Sequence, residues 1–93
     1  MNLTNLEKKF LTIMGDGAAA EIGSHKEGDL LEDNMSWTFL EDFETDAKIA
    51  RGVIASLVKK GLAGVEPNSH DTKVLYFLGD DGIIEYCKLK GAA

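Results

Sequence analysis

"ETDAKIARGVIASLVKKGLAGVE", residues 44–66, decides how the rest of the chain is read. Ala50, Val53, Ile54, Leu57 and Val58 recur at three- and four-residue steps, the period of a helix with one apolar face. Asp46 stands where an N-cap acceptor belongs. Lys59 and Lys60 occupy the last turn, where cations suit the helix dipole, and Gly61 supplies the stop. The spacing predicts a helix over 46–60, with Lys48, Arg51, Ala55 and Lys59 off its apolar side. Gly52 sits inside that helix, where glycine costs about 1 kcal/mol against alanine. A close backbone approach would account for it, and packing against a neighbouring helix is the approach we expect.

Working outward toward the C-terminus, residues 62–66 and 73–78 have strand character. Val74, Tyr76 and Leu78 alternate with Leu75 and Phe77, the period of an extended chain. Residues 67–71, "PNSHD", are turn formers and predict a hairpin loop. Asp80 or Asp81 is placed to cap a final helix over 80–90 that uses Ile83, Ile84 and Cys87.

Toward the N-terminus, Ser36 as an N-cap predicts a short helix over 37–43, with Trp37 in the core. Leu31, Met35, Phe39 and Phe43 follow a four-residue step, which would instead start that helix earlier. Gly15, Gly17, Gly23 and Gly28, with Glu27, Asp29, Glu32 and Asp33, predict a long acidic connection over 15–36. Ahead of it, Leu3, Leu6, Phe10, Ile13 and Met14 line one face of a helix over 4–14. Thr4 and Glu7 have capping-box spacing, and Gly15 is the expected end. Nothing divides the chain, so residues 1–93 are expected to form a single domain of α+β class, mostly α.

The net charge of −6 is unevenly spread. Residues 1–46 hold eleven acids against three lysines; residues 47–93 hold seven cations against five acids. The helix at 46–60 therefore belongs to a mildly basic half of an acidic protein. No apolar run approaches the roughly 18 residues of a membrane span. The N-terminus lacks the basic and apolar regions of a secretory signal. Cys87, the single cysteine, has no internal disulfide partner. A cytoplasmic protein is expected.

The order helix, short helix, long helix, hairpin, helix resembles a winged helix-turn-helix domain, and most of all the MarR-type transcriptional regulators. Phe39, Leu40 and Phe43 fall on the apolar positions of that family's second helix. Ala50, Val53, Ile54 and Leu57 fall on the buried positions of its recognition helix. "LVKKGL" at 57–62 matches the end of that helix, and "LGDDG" at 78–82 stands where the family has "LTxxG". The resemblance spans about residues 37–90. It implies a two-stranded wing, DNA binding through the helix at 46–60, and a homodimer through the helices at 4–14 and 80–90. Lys48, Arg51, Gly52, Ala55 and Lys73 are then the candidate DNA-facing residues: Arg bridges guanine in the major groove and Lys meets phosphate.

The chain departs from the family at three places. Glu44 occupies a turn position usually held by glycine, the wing loop lacks its usual cation, and residues 15–36 are longer than the pattern. Glu41, Asp42, Glu44 and Asp46 also gather where phosphates would approach. These acids support the alternative: an interaction module that does not bind DNA and offers an acidic surface to a basic protein partner. No phosphate-binding loop or catalytic motif is present, so no enzyme activity is expected. His25, His70 and Cys87 match no metal spacing, and neither metal nor cofactor is expected.

Overall fold

The computed structural model describes residues 2–67 and 74–91. The fold is α+β and mostly helical. In chain order it comprises α1 (Asn5–Ile22), α2 (Glu27–Glu32), a 3₁₀ helix (Leu40–Phe43), α3 (Ala47–Lys59), β1 (Ala63–Pro67), β2 (Val74–Leu78) and α4 (Asp80–Lys90). Among the described residues no helix is long and apolar enough to cross a membrane.

α1 begins as its sequence predicts. The Glu7 backbone N–H donates to Thr4 Oγ1 at 3.1 Å, and the Thr4 N–H donates back to Glu7 Oε1 at 2.8 Å. Its end corrects the expectation. α1 runs through Gly15 to Ile22 and stops at Gly23, which takes the left-handed conformation at φ 72°. The reason is tertiary. The Tyr86 ring lies so close over Gly15 that a Cβ there would fall inside it. Gly15 is a notch for a ring on α4, and burial of Ala18 and Ala19 carries the helix onward.

The long connection over 15–36 is corrected with it. Its first third belongs to α1, and α2 anchors its middle through buried Leu30. Residues 34–38 then run extended. Asn34 Nδ2 donates to the Leu78 carbonyl at 2.6 Å, and the Leu78 N–H donates to Ser36 Oγ at 2.9 Å. Thr38 and Tyr76 exchange backbone hydrogen bonds of 2.8 and 2.9 Å. Ser36 is thus buried against β2 and caps no helix, and the short helix shrinks to one 3₁₀ turn. The four-residue step from Leu31 to Phe43 does not continue a helix either.

α3 forms as predicted. Asp46 Oδ1 accepts from the N–H groups of Lys48 (2.9 Å) and Ile49 (3.4 Å), and Ala50, Ile54 and Leu57 are buried. Gly61, at φ 77°, turns the chain into β1. β1 and β2 pair antiparallel, with Ala63 opposite Leu78 and Val65 opposite Tyr76. The expected loop residues from 68, with His70 and Lys73, lie outside the described residues. α4 starts against the end of α3: the Gly79 N–H donates to the Leu62 carbonyl at 3.0 Å, and Gly82 admits the same carbonyl where a Cβ would collide. Gly79 is the N-cap and no side chain bonds there, so Asp80 and Asp81 act in the first turn instead of capping it.

One core joins these elements. Phe10 of α1 stacks on Phe43 at 4.1 Å, and Leu11, Met14, Ile54, Leu57, Leu78 and Tyr86 close around them. Trp37 is not part of it. It is 46% exposed and leans on Phe77 at 5.3 Å, on the outer face of the hairpin. Phe77 in turn lies across Gly64, where a side chain would exclude it.

Candidate nucleic-acid interface

The outer face of α3 follows from its inner one. With Ala50, Ile54 and Leu57 turned to the core, a pitch of 3.6 residues leaves Lys48, Arg51, Gly52, Ala55 and Lys59 exposed. Lys48 and Lys59 lie eleven residues apart, about 16 Å along the helix at 1.5 Å per residue. No carboxylate interrupts the helix between Ala47 and Lys59. The result is a cationic strip longer than the roughly 12 Å width of a major groove.

The acids ahead of α3 divide by task. Asp46 caps α3, and Asp42 Oδ2 accepts from the Phe39 N–H at 2.8 Å, closing the 3₁₀ turn. Both carboxylates thus serve local backbone amides. Glu41 and Glu44 are exposed. Glu44 takes φ 52° and ψ 40°, the left-handed turn that glycine usually occupies, and is the non-glycine residue with positive φ among those described.

Lys60, read from sequence as a residue serving the helix dipole, does something else. Its Nζ donates to Glu7 Oε1 at 2.8 Å and to the Asn2 carbonyl at 2.9 Å. Glu7 is only 2% exposed, and its second oxygen accepts from Ser56 Oγ at 2.8 Å. Burial alone would raise the Glu7 pKa. The Lys60 ammonium, the Thr4 N–H and the Ser56 hydroxyl outweigh it and lower it from 4.5 to about 2. The capping-box spacing signalled Glu7 as a cap; its partnership with α3 had no local signal.

Beside this network α1 and α3 flank an open groove of about 450 Å³ lined by Leu6, Ile49, Gly52, Val53 and Ser56. Among the described residues outside its own helix backbone, nothing lies within 4 Å of where a Gly52 Cβ would be, so the expected helix packing at Gly52 is corrected: its surface is open.

A second polar cluster joins α4 to α1. Tyr86 Oη donates to Asp16 Oδ1 at 2.6 Å and lies 3.5 Å from His25 Nδ1; Lys90 Nζ is 3.4 Å from the same Asp16 oxygen. Burial and the Asp16 carboxylate push the Tyr86 pKa up, favouring the neutral phenol. Burial and the charge of Glu27 push the Cys87 thiol up as well, which makes it a poor nucleophile. Among the described residues no group of three His, Cys, Asp or Glu side chains is placed to hold a metal ion.

Comparison of the chain with protein-family models, with curated proteins and with solved structures found no match.

Proposed function

We propose that this chain is a winged helix-turn-helix domain that binds double-stranded DNA, with α3 in the major groove and the β1–β2 hairpin as the wing. One observation carries the reading: α3 presents Lys48, Arg51 and Lys59 on an exposed face free of carboxylates, immediately after a tight left-handed turn. Arg51 is the base-reading residue and Lys48 the phosphate contact. Ala55 and Gly52 let the helix approach the base edges closely. A domain this small gains affinity from two half-sites, so we assign it a homodimer through α1 and α4, where Leu89 is exposed on α4. It acts without catalysis, in the cytoplasm, where a free thiol such as Cys87 persists.

The exposure of Trp37 beside Phe77 favours a second reading. In it the acids Glu41, Asp42, Glu44 and Asp46 flank an aromatic contact for a basic protein. A heteronuclear NMR titration with varied duplexes at low and high salt separates the two. DNA binding shifts the amides of 46–59 and weakens with salt. A folded protein with no shifts there, even at low salt, removes the DNA reading and leaves the second.

A further inference from the structure

We propose that the groove between α1 and α3 docks an amphipathic helix of a protein partner whose polar face is acidic. The groove is apolar at its lip: Ile49 is 49% exposed and Leu6 42%, with Val53 half-buried between them. The polar groups at its base already have partners, because Ser56 and Lys60 satisfy Glu7. What the groove lacks is apolar contact.

Gly52 points the same way. Gly15, Gly64 and Gly82 each admit a ring or carbonyl that a Cβ would strike, so the fold accounts for them. Among the described residues nothing meets Gly52, yet its helix bears the cost of a glycine. Gly17 and Gly28 are open too; Gly52 is set apart by lining a concave apolar surface. A bare Cα in the wall of a groove between two helices suits the close approach of a third helix backbone.

Charge selects the occupant. Lys48 lies one turn from Gly52, Lys59 three residues beyond Ser56, and Lys9 one turn past Asn5 on the opposite wall. Of the nearby acids, Asp46 is turned back to cap α3 and Glu7 is paired with Lys60. The rim is therefore cationic around an apolar floor, the complement of leucines on one face of a helix and glutamates on the other. The docking does not depend on DNA binding. If both occur they exclude each other, since they share Gly52 and Lys48.

The probe is an amphipathic peptide about five turns long, with leucines at three- and four-residue steps and Glu and Gln elsewhere. A Lys/Gln version and a scrambled acidic version are the controls. Amide shifts concentrated on Leu6, Ile49, Gly52, Val53 and Ser56 with the acidic amphipathic peptide support the proposal. So does a loss of roughly tenfold or more in affinity in Gly52→Leu, whose Cβ meets nothing among the described residues and whose side chain occupies the groove. Thermal unfolding of that variant verifies that it is folded, and Ile49→Ala gives a second, independent loss. Equal binding of all three peptides, binding without groove shifts, or no binding overturns it. Protection of the groove in a homodimer of the free chain also overturns it, because a second copy would then be the occupant.

Discussion

Glu7→Gln tests how α1 is tied to α3. The native carboxyl gives up its proton at about 2 rather than 4.5. At about 1.4 kcal/mol per tenfold change in proton affinity, that difference favours the folded state by about 3 kcal/mol at neutral pH. The sign follows from the direction. The folded-state pKa is depressed, so the stabilisation is complete above about pH 5 and is lost as pH falls toward 2. Glutamine keeps the shape but removes the charge, leaving the Lys60 ammonium without its ion pair. The variant is expected to lose about 2–3 kcal/mol at neutral pH, a Tm drop on the order of 10–20 °C for a domain of this size. Urea unfolding followed by far-UV circular dichroism, repeated from neutral to acid pH, measures it. The gap between the two proteins should close with acidification, because only the native chain has a carboxyl to protonate here. A gap that stays constant with pH, or no gap at neutral pH, would refute the assignment of this energy to the Glu7–Lys60–Ser56 network.

Four further outcomes are expected. Gly15→Ala should destabilise by about 1–3 kcal/mol, despite alanine's better helix propensity, because its methyl group enters the Tyr86 ring; thermal melts measure it. Gly52→Ala should do the opposite and raise stability by about 0.5–1 kcal/mol in the same melts, since its surface is open. Glu44→Gly should stabilise by roughly 0.5–1 kcal/mol in urea titrations by relieving the left-handed backbone. Cys87 should react with a thiol reagent only as fast as the chain unfolds, so adding urea should accelerate labelling in step with the unfolded fraction.

The segments legible in the sequence are those whose causes are local. α3 announced itself through its apolar period, the Asp46 cap and Gly61, and the hairpin through its alternation around turn formers. What stayed hidden depends on residues far along the chain. Gly15 is a stop signal by local rules and becomes a helical residue only because Tyr86, more than seventy positions away, fits over it. Ser36 looks like a cap until the Leu78 amide claims its hydroxyl. Trp37 has the size of a core residue, yet its ring is exposed and leans on Phe77 beside the Thr38–Tyr76 bridge. At the candidate site, the exposed positions of α3 followed from periodicity. The groove beside it did not, because it needs the crossing of α1 and α3, which no local pattern encodes.

The seating of Tyr86 over Gly15 carries a consequence for how the protein is made. α1 and α4 form the largest helix–helix contact among the described elements, and they lie far apart in the sequence. Until α4 is made and docked, α1 presents the Gly15 notch and the apolar surface around Met14 and Ala18 without the helix that seals them. Asp16 gains its phenol partner only once Tyr86 arrives. The interval before α4 docks is when a chaperone would find this surface.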